Sequence, residues 1–120
     1  MGLINSPLIG ILSRALDLTA LRQRLVSENI ANIDTPGYKT RDFDFASELQ
    51  RAISEGDDAS GTVSLRTPAG LEERPDGNNV SVDRESLLMA QNQLQFQTSV
   101  AVLRTEFNRL QLAINGGSNA

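Results

Sequence analysis

Apolar residues near the N-terminus recur at steps of three and four, the spacing that gathers side chains on one face of an α-helix. One row is Leu8, Ile11, Ala15, Leu18, Arg22, Leu25 and Asn29. A second, adjacent row is Ile9, Leu12, Leu16, Thr19, Gln23, Val26, Ile30 and Ile33. Together they form a face broader than a single coiled-coil seam. Arg22, Gln23 and Asn29 interrupt it, the kind of polar intrusion that fixes register at some cost in stability. Ser6 suits an N-cap and Pro7 the first helical position, so the pattern predicts a helix over 7–33. The run Asp34-Thr35-Pro36-Gly37 must end it: Pro36 keeps Thr35 out of the helical region and Gly37 is free to take positive φ.

Beyond that turn, residues 42–53 predict a short helix capped by Asp44, with Phe45, Leu49 and Ile53 on one face. From Ser54 to Asn79 the composition shifts to Gly, Asp, Ser, Pro and Glu, which reads as loop. Within it Thr62–Arg66 alternates like a strand, able to form a small β-hairpin with Asn79–Val82 through an Asp76-Gly77 turn. A second long helix is expected over 83–115. Asp83 is its N-cap and Glu85 lies in its first turn. Its main apolar row is Met89, Phe96, Val100, Leu103, Phe107, Leu110 and Ile114, with Leu87, Leu94 and Ala101 beside it, and Gly116-Gly117 ends it. The fold expected is mainly α: two long terminal helices, each roughly 40–45 Å, packed antiparallel as a coiled-coil-like pair around one short helix and a loop (34–82) in a single domain. Leu18, Leu25, Phe96, Val100, Leu103, Phe107, Leu110 and Ile114 are the expected packing positions.

Composition sharpens this picture. In 120 residues the apolar fraction is 39% and the aromatic fraction 4%, with no Trp; globular chains average roughly 45–50% apolar with Gly included. So thin a supply suits a small bundle, or a chain that completes its core by assembling. The net charge is −4 and no basic residues form a run, which argues against nucleic acid as a partner. Ten of eleven basic residues are Arg, a residue enriched at protein interfaces, although codon bias explains this as well. The early apolar stretch Pro7–Leu12 is far shorter than the roughly 20 residues of a membrane span. No basic residue precedes it and no small-residue cleavage site follows, so no cleaved signal peptide is expected.

Candidate chemistry is sparse. Without Cys or His the chain lacks thiolate or imidazole metal ligands and the commonest general base. The pairs Asp42/Asp44 and Asp57/Asp58 read as solvated loop charge and helix capping. Asp76-Gly77-Asn78 reads as a turn, because the alternating ligands and closing Glu of a calcium loop are missing. Asn79-Val80-Ser81 fits a glycosylation pattern too common to carry weight. No catalytic residue, cofactor or metal is expected, and the chain is read as a non-enzyme.

One stretch is specific. Asn29-Ile30-Ala31-Asn32, followed by Thr35-Pro36-Gly37-Tyr38-Lys39, resembles the N-terminal signature of the flagellar axial family of rod, hook and hook-associated proteins. The short length, the uninterrupted Asp34–Lys39 run, and the Arg41-Asp42-Phe43-Asp44-Phe45 continuation resemble the short proximal rod members. So does the C-terminal stretch from Gly77-Asn78-Asn79-Val80 through Asp83, Glu85, Asn92 and the Phe96-to-Ile114 row. The resemblance covers about two thirds of the chain; the middle loop lacks a His this family often carries. It implies a structural subunit of the proximal rod, exported through the flagellar type III apparatus without signal cleavage. Such a subunit assembles helically in the periplasm into a hollow shaft that transmits torque and conducts later subunits. Implied partners are copies of itself, rod proteins of the FlgC, FlgF and FlgG types, and the rod–ring adaptor FliE. Two other classes fit parts of the pattern. A soluble helical adaptor or secretion-system effector would show similar helices without needing the Thr35–Tyr38 turn. A carboxylate-dependent wall hydrolase would need a pocket that the sequence does not offer.

Overall fold

The computed structural model describes residues 7–56 and 61–118, arranged as three helices: α1 (Pro7–Ala31), α2 (Phe45–Glu55) and α3 (Val82–Ser118). The expected cap Ser6 and the Asp57/Asp58 pair lie outside the described residues. The architecture is mainly helical, as the periodicity predicts. α1 and α3 pack against each other and run antiparallel, since Asn29 meets Glu85 while Thr19 meets Asn92. The molecule measures 71 × 26 × 18 Å, with a radius of gyration of 18.6 Å. A compact domain of this length would have about 14 Å.

Helix limits follow local hydrogen bonding and differ from expectation in physical detail. α1 stops at Ala31, two residues early. The Asn32 backbone N–H and its Nδ2 both donate to the Glu28 carbonyl, and Ile33 N bonds to Ile30 O, so the chain tightens into turns. α2 is capped by Asp44, whose carboxylate accepts from Ser47 N at 3.1 Å. Its inner face is Phe45, Glu48 and Ala52, with Leu49 half-buried; Ile53 lies outside that face. Glu48 tolerates burial because Arg14 and Arg51 reach it, at 4.0 and 3.0 Å. α3 begins one residue before Asp83. Ser81 is the capping residue: its Oγ accepts from Arg84 N, and its carbonyl accepts from Glu85 N. Gly116 and Gly117 do not end α3, which continues to Ser118; glycine in a helix costs only about 1 kcal/mol against alanine.

The suggested hairpin is absent: the described residues contain no strand. Instead Arg66 pairs with Asp42 in one antiparallel bridge, through N–H to carbonyl bonds of 2.9 and 2.8 Å. This register carries Val63 and Leu65 onto the main cluster of Leu18, Leu25, Phe43 and Phe45, with Leu21 and Leu49 at its edge. The Phe43 and Phe45 rings stack 6.1 Å apart, and the Arg22 guanidinium lies 5.8 Å from the Phe43 ring centre. Leu18, Leu25, Phe43 and Phe45, all buried, contribute roughly 1.5–3 kcal/mol each by burial. The largest apolar cluster therefore lies between α1 and the middle segment, while Leu12, Ala15 and Val26 of α1 and Leu110 of α3 are buried outside it.

Candidate functional site: a polar junction and an uncovered helical face

Thr35–Tyr38 form a tight turn in which Tyr38 N donates to Thr35 O. Gly37 takes φ +75°, as its place after Pro36 predicts. A second turn at Gly77, φ +87°, is laid against it: Gly37 N donates to Asp76 O, and a Cβ on Gly77 would come within 3.3 Å of Gly37 Cα. Asn78, which reads as a turn residue in the sequence, and Asn79, which reads as the start of a hairpin strand, tie the two turns together. Asn78 Nδ2 donates to the carbonyls of Asn32 and Thr35, and Asn79 Oδ1 accepts from Thr40 N at 2.7 Å. Arg74 donates to the Ile33 carbonyl, and Lys39 reaches Glu73 and the Gly77 carbonyl.

At the centre stands Asn29, buried within the last turns of α1. Its Oδ1 accepts from the Tyr38 hydroxyl and Arg41 N; its Nδ2 donates to Arg41 O and Glu85 Oε1. That uses the full capacity of a carboxamide, two donors and two acceptors. Asn32 is only half-buried and bonds Glu28 O and Thr35 Oγ1. Of the remaining signature residues, Ile30 and Tyr38 are half-buried, while Ala31, Thr35, Pro36, Gly37 and Lys39 face outward.

Charge is concentrated here too. Asp42 is not a solvated loop charge: it is buried, with Oδ2 accepting from Arg22 at 3.0 Å and Arg84 at 2.6 Å. Burial works against its carboxylate, but the bonds from Arg22, Phe43 N and Arg84 outweigh that and hold its pKa below the usual value. Glu85, fully buried, is the opposite case. Burial pushes its pKa up, and the bonds from Asn29 and Arg84 offset that only in part. The Tyr38 hydroxyl is also raised, by burial and then by Glu28. Arg22, Asp42, Phe43, Arg66 and Arg84 border a shallow, open cleft of about 390 Å³. Among the described residues no cluster of acidic side chains could hold a metal ion, and no helix is long and apolar enough to cross a membrane.

The second feature is α3. Every seventh residue along it, Glu85, Asn92, Ser99 and Glu106, is buried, and all four are polar. Leu110 is buried, and Leu88, Val100 and Leu103 are half-buried. Large apolar residues of α3 are also exposed: Met89, Phe96, Phe107 and Ile114 fall along one stripe of the helix, Leu87, Leu94 and Leu112 along another, and Val102 apart from both. Of the expected packing residues, then, the single chain buries Leu18, Leu25 and Leu110, and leaves Phe96, Phe107 and Ile114 uncovered. The spacing row alone could not separate these two groups, because Phe96, Phe107, Leu110 and Ile114 share one side of α3 and differ only in how far α1 covers them.

Residues 9–39 match the family described as flagella basal body rod protein. The chain is 38% identical to the flagellar basal body rod protein FlgB of Escherichia coli (strain K12), spanning 87% of this chain and 90% of that one. It is 36% identical to FlgB of Cereibacter sphaeroides, over 90% and 94% of the two chains. It is 31% identical to FlgB of Bacillus subtilis (strain 168), over 88% and 92%.

Proposed function

The chain belongs to the FlgB family of flagellar basal body rod proteins, and from that premise we propose that its fold is completed by neighbouring subunits along the proximal rod. It is a structural subunit of the flagellar basal body rod. In the finer reading, copies of it associate with rod proteins of the FlgC, FlgF and FlgG types and with the adaptor FliE. The shaft so formed, in the periplasm, transmits torque and leaves a channel for exported subunits. The chain itself leaves the cytoplasm through the flagellar type III apparatus without signal cleavage and performs no catalysis.

One observation carries this reading. Among the described residues, all the exposed large apolar side chains except Leu8 and Ile53 lie on α3. Met89, Phe96, Phe107 and Ile114 repeat along one face of it, and an exposed apolar stripe of that length marks a surface that another molecule covers. The junction around Asn29 supports it from the other side, fixing where α3 leaves the body and hence which way that face points.

Phe107→Asp tests the proposal. Phe107 is half exposed, at 52%, so the isolated chain should unfold at nearly the same denaturant concentration as wild type. In the host lacking its own copy, the variant should be exported yet build no rod, because a carboxylate would be buried unpaired at the subunit contact. Gln111→Asp adds the same charge at another exposed position and should build rods. Normal rods with Phe107→Asp would count against this face as an assembly surface.

A further inference from the structure

A helix leaves its last carbonyls without partners of its own. At the end of α1 the missing donors arrive from 41 to 46 residues further along the chain. Arg74 donates to the Ile33 carbonyl, and Asn78 Nδ2 donates to the carbonyls of Asn32 at 2.8 Å and Thr35 at 2.9 Å. Asn79 N donates to the Tyr38 carbonyl at 3.3 Å. In return, Asp76 O accepts from Gly37 N, and Asn79 Oδ1 accepts from Thr40 N. Residues 70–79 thus lie across the end of α1 and the turn that follows it.

Their apolar anchoring is slight. Leu71 is the one large apolar side chain in the segment and is only half-buried; the main apolar cluster takes no residue from it. Its buried residues, Asn78 and Asn79, are polar. Gly70 bounds the segment at one end, with φ +82° and open space around it, and buried Val80 bounds it at the other. A hydrogen bond exchanged for one to water nets little, whereas the body of α1 and α2 is held by buried Leu and Phe side chains. A segment with few buried apolar contacts opens locally, ahead of the structure it rests on.

We infer that residues 70–79 form a strap that closes as one unit over the end of α1, and that the Thr35–Tyr38 turn keeps its shape only while the strap is down. α1 and α3 stay paired throughout, since the bonds from Asn29 to Glu85 and from Asn92 to Thr19 do not pass through the strap. The inference rests on the rod reading above and adds a check on completeness to it. Turn and strap are remote in sequence, so a chain that crosses a membrane unfolded cannot finish the end of α1 until both segments are on the same side. Assembly waits for that closure.

Asn78→Asp tests it. The substitution keeps the shape and the Oδ1 that accepts from Val80 N, and turns the donor facing the Asn32 and Thr35 carbonyls into an acceptor. In the full-length chain the amides of Gly37 and Asn79, which bond between turn and strap, should exchange at least about tenfold faster. Those of Leu18–Leu25 should stay within about twofold of wild type. Arg74→Met removes a different fastening and gives the same reading if Asn78→Asp does not fold. The Arg74 side chain bonds neither Gly37 nor Asn79, yet its loss should speed both amides, because the strap opens as a unit. Glu72→Ala, at an exposed strap position, should change none of them. In the host lacking its own copy, Asn78→Asp should be exported normally and yet build severalfold fewer rods. Acceleration that spreads equally to Leu18–Leu25 overturns the strap as a separate unit, and so does an Arg74→Met chain in which Gly37 and Asn79 exchange as in wild type. Variants that open the strap and build rods at the wild-type level overturn its link to assembly. Failure of the rod reading itself looks different: the deletion strain would swim without this gene, whatever the exchange measurements showed.

Discussion

Asn29 shows how much one side chain can organise. It bonds the turn, the linker and α3 at once, from inside α1. Its neighbours extend the same economy: a Cβ on Gly77 would crowd Gly37 Cα at 3.3 Å, while Gly37 has open space around it and is constrained by its backbone angle alone. Gly37 at φ +75° puts a β-branched residue in a region it rarely adopts. Gly37→Val should therefore cost more than about 1 kcal/mol in urea unfolding and impair swimming. Gly61→Val, whose Cβ would meet only the flexible end of Arg51 at 3.8 Å, should change neither. The two buried carboxylates make opposite contributions to stability against pH. Asp42 is held below its unfolded value, so its stabilisation is present above that value and lost as pH falls through the folded pKa. Glu85 is raised, so its contribution is full below the unfolded value of 4.5 and lost as pH rises through the folded pKa. Glu85→Gln should accordingly be more stable than wild type at pH 8, with the advantage shrinking toward pH 4.5. Urea midpoints for both chains across that range check this. A difference that stays constant would show that Glu85 does not titrate differently in the folded state.

At the level of elements, much was legible because the governing signals are local. The 3.6-residue period, the Pro36-Gly37 stop and the Asp44 cap are all written in short stretches of sequence, and α1, the turn and α2 follow from them. What was not legible depended on distant partners. Nothing near Asp42 reveals that Arg22 and Arg84 will converge on it, and nothing near Thr62–Arg66 reveals that its partner is Asp42 rather than Asn79–Val82. Nor could spacing tell which face of α3 meets α1, although the seven-residue repeat of Glu85, Asn92, Ser99 and Glu106 was present to be read. The resulting division of labour predicts unequal sensitivity. Leu25 is sealed in the α1 core, so Leu25→Ala should cost about 2–5 kcal/mol. Leu112, 72% exposed on α3, should lose less than about 0.5 kcal/mol on the same change. Urea unfolding of the isolated chain distinguishes them. Equal losses would mean that α3 is as integral to the monomer as α1.

The whole molecule is elongated, with its largest apolar cluster beside α1 and α2 and exposed apolar stripes on its longest helix. For a monomer this is a poor design; for a subunit of the basal body rod it is a half-finished contact. In the reading proposed above, the low apolar and aromatic content has the same origin, with part of the core supplied by the next copy. The thin composition suits a chain that assembles, and exposed Phe96, Phe107 and Ile114 are the surface proposed for it. The measurement that tests this most directly is a reconstruction of basal bodies purified from the native host, at a resolution that traces side chains. The account predicts this chain in the rod, with Phe96, Phe107 and Ile114 of α3 enclosed by helices of adjacent subunits. A rod in which those three side chains face open solvent, or one that lacks this chain, would contradict it.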